Sequence, residues 1–456
     1  MNDSAQLLEL LACPRCDQPL AATGDGLRCA GCRVDFPRLD SIPWLFAEPG
    51  AALGEWRGRL HFSLQRTDRD EQQLRAALER PGLRAATRAR LALLADATAD
   101  HGRRLRTLLA PLELEHYAAT IETHLALRTR LPAEQGLTTY YANVHRDWAW
   151  GEEENEASYR ILENALGGAA PGRVLVLGAG AGRLAYDVHV RAAANLTVAL
   201  DFNPLLMLLA QRVVRGERVE LFEFPIAPRT TADNAVLRSL AAPAPAREGF
   251  ACVLADAHRP PFRRGAFDTV ITPWLVDILP ERFEALSARI NALLAPGGRW
   301  LNFGSLSFHV ADASARYSLE ECVAVIEENG FAAPTVTEHE IPYLCSPASR
   351  HGRRERVVAW NAAKARDAKK LPRYEALPDW LVRGTDPVPL SESFRVQAMS
   401  TQIYAFIMSL IDGRRSVKDI AKPIVEQRLM TEQEAEPAIR TFLTKMYDDS
   451  RRGSSY

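Results

Sequence analysis

The 456-residue sequence has no apolar run approaching the length of a membrane span. Its first residues, MNDSAQLLELLACPRC, carry neither the basic start nor the cleavage signal of a secretory peptide. These absences set the expectation of a cytoplasmic protein with no membrane partner. An excess of one charge is missing too. Lys plus Arg number 56 against 57 Asp plus Glu, a net charge of -1, which gives no overall electrostatic reason to expect nucleic acid as a partner. Cysteine is sparse and uneven: of seven, four lie near the amino terminus and Cys252, Cys322 and Cys345 are scattered. That is a poor disulfide framework for a chain of this size and fits a reduced compartment. No internal repeat is present.

What is there divides by pattern. Residues 1–48 hold the clustered cysteines among short, Gly-punctuated segments, as in hairpins. Residues 51–136 turn rich in Ala, Leu, Arg and Glu at helical spacing, broken at Pro81 and Gly82, and predict two or more amphipathic helices with a solvated arginine face. Residues 137–370 alternate apolar runs (RVLVLG, LTVALD, FACVLAD, FDTVITPWL, RWLNFGS) with helical stretches, the habit of a doubly wound α/β sheet. A Pro-rich linker over 371–389 follows, and then a last unit over 390–456 with helices around TQIYAFIMSLIDG, from Ser416, and around Ala438 to Met446.

Cys13 and Cys16 form one CxxC and Cys29 and Cys32 another. Four thiolates on two tight turns can close a tetrahedron around zinc, and a site with every position filled by sulfur is structural rather than catalytic. Two unrelated CxxC turns or redox pairs are the alternative. A segment too short to fold on its own core favours the metal. The stretches LLELLACPRCDQPL and LRCAGCRVDFPRLDSIPWLF resemble the Trm112-like zinc ribbon, a domain that accompanies or activates methyltransferases.

RVLVLGAGAGRLAYDV places Gly178, Gly180 and Gly182 after a strand and before a helix. Glycine lets the backbone approach a ligand, and the helix start offers unpaired amides. By itself the loop does not separate a nicotinamide enzyme from a methyltransferase. Asp201 closes the next strand, where a carboxylate binds ribose hydroxyls in either family. Asp256 and Ala257 end FACVLAD, where class I methyltransferases meet the adenine of S-adenosylmethionine, and LLAPGGRWLNFG resembles the late turn and strand of that Rossmann-like fold. Either aspartate could instead be a strand-end cap.

A closer resemblance follows. TYYANVHRDWAWGEEENEASYRIL, the glycine loop, ELFEFPIAP, PWLVDIL, PGGRWLNFGSLSFH, ARYSLEECVAVIEENGF and IPYL run in the order seen in the carnosine N-methyltransferase family, whose members methylate an imidazole nitrogen. The resemblance implies that Asn143 and Arg146 hold the methionine end of the cofactor and that Asn203 and Pro273 belong to the cofactor set. It implies that Asp277 contacts the imidazole and that His309 and Tyr343 line the acceptor pocket. Asn143 stands where the family usually has Gln and Asp201 where it has Glu, and Pro273 and Trp274 replace smaller or different residues. The chain also resembles the free-standing enzymes that finish ovothiol or ovoselenol, which implies a 5-thiohistidine or 5-selenohistidine acceptor. A peptide or protein histidine, a carnosine-type dipeptide, and a non-catalytic cofactor-binding scaffold are the alternatives.

From spacing alone Asp277 could be a helix cap, His309 a core or loop histidine, and Tyr343 a packing aromatic. As a mechanism, a carboxylate on the distal ring nitrogen fixes the tautomer that aims the other lone pair at the methyl group. The last unit, with IDGRRSVKDIA and EPAIRTFLTKMYDD, resembles the PqqD-like winged-helix module. It implies a peptide or protein contact, against which stands a docking or dimerisation role.

Overall fold

The computed structural model describes residues 3–116, 140–279, 281–308, 312–369, 387–389 and 392–453. The chain divides into two compact units, Met1–Ala376 and Leu377–Tyr456.

The first unit opens with a helix, Asp3–Leu10, and an antiparallel meander of β1 (Leu20–Ala22), β2 (Gly26–Cys29), β3 (Asp35–Leu39) and β4 (Ile42–Pro43), paired in sequence order. So few residues cannot enclose a core of their own. Leu11, Leu27, Phe36 and Leu45 are instead buried in one cluster with Leu196, Val198 and Val253 of the central sheet. The backbone is tied in as well, with the Leu45 N–H donating to the Leu254 carbonyl at 2.7 Å. Helices Pro49–Leu78 and Ala85–Leu108 follow, separated by a turn in which Gly82 has φ 77°. Their buried Trp56, Leu60, Leu64, Leu105 and Leu108 join the cluster on the sheet's other face. Several of their arginines pair with acidic neighbours: Arg106 with Asp68 at 2.6 Å, and Arg103 and Arg104 with Asp100. The boundary expected at 48 therefore falls inside one unit, because the segments on either side of it bury their apolar faces on the same sheet. Residues 117–139 of the helical stretch, and 370–386 and 390–391 of the linker and its far end, lie outside the described residues.

The hairpin β7 (Val219–Glu223) and β8 (Val236–Leu240) stands apart from the seven-stranded central sheet, whose members are β5 (Arg173–Leu177), β6 (Leu196–Asp201), β9 (Phe250–Leu254), β10 (Phe267–Pro273), β11 (Leu294–Gly304), β12 (Thr335–Tyr343) and β13 (Arg353–Ala363). Their spatial order is β12-β13-β11-β10-β5-β6-β9. The pairs β9–β6, β6–β5, β5–β10 and β10–β11 are parallel, and β13 runs antiparallel between β11 and β12. Val174 to Leu177 and Val198 to Leu200 are fully buried, as strands covered on both faces must be. All five apolar runs of the sequence are strands. The chain leaves β5 toward β6 on one side and returns to β10 on the other, so a crevice opens at the carboxyl ends of β5 and β10. This is the mixed, mainly parallel α/β architecture of a Rossmann-like methyltransferase. No helix among the described residues is long and apolar enough to cross a membrane.

The second unit holds helices Glu392–Ser409, Val417–Glu426 and Glu432–Gly453 around Ile407, Leu410, Ile420, Ile424 and Ile439. Ser416 starts the middle helix with a capping box to Asp419. Among the described residues this unit has no strand, so the wing of a winged helix is not among them.

Candidate active site

The glycine loop, Asp201, Asp256, Pro273, Asp277 and Tyr343 lie at or just beyond the carboxyl ends of five strands, β5, β6, β9, β10 and β12. Beyond β5, Gly178, Gly180 and Gly182 all have positive φ. At Gly180 (φ 58°) a side chain would meet nothing within 4 Å, so the loop faces open space there. Its N–H donates to Oδ2 of Asp201, at the end of β6, at 2.9 Å. Asp201 is buried, and burial pushes its carboxyl up to about 6 against the opposing pull of backbone N–H groups from Asn203, Gly180 and Phe202. Asn203 turns out to be a helix cap: its side-chain oxygen accepts the Leu205 N–H at 3.0 Å and its own N–H donates to Asp201 Oδ1 at 2.9 Å. Its N–H thereby braces Asp201. Past β9, Asp256 Oδ1 receives the His258 backbone N–H at 2.9 Å and lies 2.7 Å from His258 Nδ1, beside the buried Ala257. Burial pushes the Asp256 carboxyl up, but the His258 contacts outweigh it and hold it below the ordinary carboxylate value.

Pro273 is the buried last residue of β10, opposite Phe303. Trp274 then takes a left-handed conformation (φ 52°) unusual for a bulky residue. It is wedged there, since its N–H donates to the Phe303 carbonyl at 2.7 Å and a Cβ on Gly304 would lie 2.9 Å from its backbone. The turn brings Leu275 against Gly178 and the Trp274 ring to 4.8 Å from that of Tyr343. Three residues on, Asp277 is buried, 3% exposed. Its Oδ2 accepts the Ser305 hydroxyl at 2.6 Å and the Ser307 N–H at 2.7 Å. Its Oδ1 is buried with no partner among the described residues. A carboxylate fixed through one oxygen with the other unpaired among the described residues is a preorganised acceptor, and its bonds run to the loop after β11 rather than to the start of the next helix.

Tyr343 ends β12, with the Arg353 guanidinium 4.6 Å from its ring centre, and burial raises its phenol above the ordinary value. Asn143 is half-buried in the short helix Tyr141–His145. Arg146 is held by two buried carboxylates, its Nε 2.7 Å from Asp147 Oδ1 and its Nη1 3.0 Å from Glu154 Oε1. Burial opposes its charge, and those two carboxylates outweigh it and raise the guanidinium above its ordinary value. The expectation of an arginine open to a ligand carboxylate is thus narrowed to the N–H groups these partners leave. His309 lies outside the described residues. Sequence reasoning missed Ser305, Ser307, Glu154 and His258. SLS directly after the β11 glycine was the one local signal for the two serines.

Apart from the crevice, the Sγ atoms of Cys13, Cys16, Cys29 and Cys32 lie within 4.8 Å of one another, with 3.6 Å between Cys13 and Cys32 and 3.4 Å between Cys16 and Cys29. Four converging sulfur donors suit a tetrahedral zinc.

The sheet order, the glycine loop at the switch point and the carboxylate ending the adjacent strand define a class I methyltransferase core. The sequence pattern of the carnosine N-methyltransferase family matches residues 133–365, just over half of the chain. The chain belongs to that family and is an S-adenosylmethionine-dependent methyltransferase. No curated protein matches the sequence. Among solved structures, the chain is similar to a putative methyltransferase from Bacillus halodurans (12% identity, 46% of this chain, 100% of that one, TM-score 0.32). It is also similar to phosphoethanolamine N-methyltransferase 2 of Haemonchus contortus in complex with S-adenosyl-L-methionine (16%, 50%, 56%, 0.33). A third is the N-methyltransferase NodS of Bradyrhizobium japonicum in complex with S-adenosyl-L-homocysteine (15%, 50%, 99%, 0.31).

Proposed function

We propose that the protein methylates a ring nitrogen of a small histidine-derived imidazole, 5-thiohistidine or 5-selenohistidine, to give ovothiol or ovoselenol. The observation that carries the imidazole reading is the open Oδ1 of Asp277. A carboxylate oxygen with no donor among the described residues, just past the carboxyl end of β10, is a place for an imidazole N–H. A carnosine-type dipeptide is the second reading, favoured by the family match.

The residues at hand suit S-adenosylmethionine. The Gly178–Gly182 loop faces open space at Gly180, and Asp201 and Asp256 are carboxylates at successive strand ends. Bound there, the cofactor supplies an electrophilic methyl group on a sulfonium. In this reading Asp201 takes the ribose hydroxyls through the oxygen surface its backbone N–H donors leave. Asp256 and Ala257 border the adenine, Asn143 and the uncommitted N–H groups of Arg146 hold the carboxylate end, and Pro273 backs the site. Asp277 Oδ1 accepts the N–H of the acceptor ring. That choice of tautomer leaves the other ring nitrogen unprotonated, and the carboxylate charge favours the positive charge that builds on the ring as its lone pair is spent. Trp274 and Tyr343 wall the ring, and His309 is assigned to the same pocket by its position in NFGSLSFH. Positioning of this kind supplies much of the acceleration, with no covalent enzyme intermediate. The cysteine cluster is assigned a structural zinc in a Trm112-like ribbon. The second unit is assigned a PqqD-like docking or dimerisation role, with peptide capture as the alternative.

The test is Asp277→Asn with 5-thiohistidine, 5-selenohistidine and carnosine as acceptors. The amide keeps a carbonyl for Ser305 and Ser307 and turns an NH2 toward the ring N–H. Turnover is expected to fall about 100-fold to 1000-fold, with cofactor affinity by calorimetry nearly unchanged. Near-normal turnover by the folded variant on the best acceptor would remove Asp277 from the mechanism and the physical reason for an imidazole with it.

A further inference from the structure

Glu154, on the helix Glu152–Leu166, belongs to none of the sets assigned above, yet it is 4% exposed and both its oxygens are committed. Oε1 accepts from Arg146 Nη1 at 3.0 Å, and Oε2 accepts the backbone N–H of Leu344 at 2.8 Å, across 190 residues of sequence. Leu344 directly follows Tyr343 and is itself a left-handed non-glycine residue, φ 50°. Backbone in that region persists only when its surroundings over-determine it, and the bond to a buried carboxylate is such a constraint. The other edge of Arg146 is held separately by Asp147, which takes Nε and Nη2 at 2.7 Å. Removing Glu154 therefore frees one edge of the guanidinium without stripping its charge partner.

We infer that Glu154 is a positioning residue that couples the two walls of the crevice. One oxygen sets the direction of Arg146 on the cofactor side, and the other locks the turn that places the Tyr343 ring 4.8 Å from Trp274 on the acceptor side. A cofactor that orders Arg146 thereby orders Tyr343, and an acceptor seated on Tyr343 does the converse, the reciprocity that any energetic coupling between two sites must show. This rests on the assignment of Arg146 to the cofactor and Tyr343 to the acceptor.

The experiment measures acceptor affinity with and without S-adenosylhomocysteine, and S-adenosylhomocysteine affinity alone, in the full-length protein, Glu154→Ala and Glu154→Gln. In the wild type the acceptor binds more tightly in the presence of S-adenosylhomocysteine. In Glu154→Ala that ratio falls to about one, and both affinities weaken about tenfold or more, the scale of a buried hydrogen bond to a charged group. Glu154→Gln, which keeps a carbonyl for Leu344 but not the charge facing Arg146, recovers acceptor affinity and not cofactor affinity. A lowered melting temperature with both affinities and their ratio unchanged would mean that Glu154 only supports the fold, and it overturns the inference. So does an unchanged S-adenosylhomocysteine affinity in Glu154→Ala. A wild-type enzyme inactive on every imidazole would instead defeat the acceptor reading, and the cofactor measurement would still decide the Arg146 half of the coupling.

Discussion

The backbone N–H of Gly180 donates to Oδ2 of Asp201 at 2.9 Å, so the cofactor loop and the carboxylate of the neighbouring strand hold one another in place. Burial raises that carboxyl to about 6. Because the folded value lies above the unfolded one, the stability tied to its protonated form is full below about 3.9 and is lost as pH rises through about 6. Accepting ribose hydroxyls needs the ionised form, so cofactor affinity runs the other way. It is expected to weaken about tenfold for each pH unit below about 6. Calorimetry between pH 5 and 7.5 checks this, with Asp201→Asn flattening the profile. A flat wild-type profile would exclude the ribose contact.

Gly304→Ala is expected to destabilise the protein by about 1 to 3 kcal/mol, the usual cost of forcing an extra methyl into a packed site. The new Cβ would lie 2.9 Å from the Trp274 backbone, which cannot swing aside as a side chain can. The shift passes to Asp277 three residues on, so turnover drops more than cofactor affinity. Thermal unfolding and steady-state rates on one preparation separate the two, and wild-type values in both would contradict the packing.

Metal analysis is expected to find about one zinc per chain, lost when Cys13, Cys16, Cys29 or Cys32 becomes serine. Since the cysteine segment shares a core cluster with β6 and β9, these variants should also unfold the sheet at lower temperature rather than release a free domain. A native, metal-free protein of unchanged melting temperature would refute the assignment.

Two buried histidines predict acid sensitivity. Burial pushes His101 down to about 4 and His145 down to about 3, and the Nδ1 of each lacks a partner among the described residues. With folded values below the unfolded value of about 6.5, their stability is full above that pH and is lost as pH falls through about 4 for His101 and about 3 for His145. His101 packs edge-on to Tyr141 and Phe224, so His101→Phe should reduce the slope of stability against pH in denaturant titrations. An unaltered slope would place the acid sensitivity elsewhere.

Apolar runs bounded by turns, two CxxC pairs and a glycine loop between a strand and a helix are local patterns, and local sterics and burial suffice to make them strands, knuckles and a ligand-facing turn. For that reason β5, β6, β9, β10 and β11, the convergence of the four cysteines, and Gly178 and Asp201 at strand ends were readable from residue order alone. Strand β13 carries the apolar run VVAW behind the charged RRER, a signal passed over, whereas the sharing of one core by the cysteine segment and the sheet has no local pattern. The tertiary structure alone decided that Asp277 is held through Ser305 and Ser307 and that Glu154 reaches Leu344. Those are hydrogen bonds of single side chains. Their partners are brought near by the sheet order and not by spacing along the chain, so no periodicity records them, whereas the Asn203 cap and the Glu154–Arg146 pair are local.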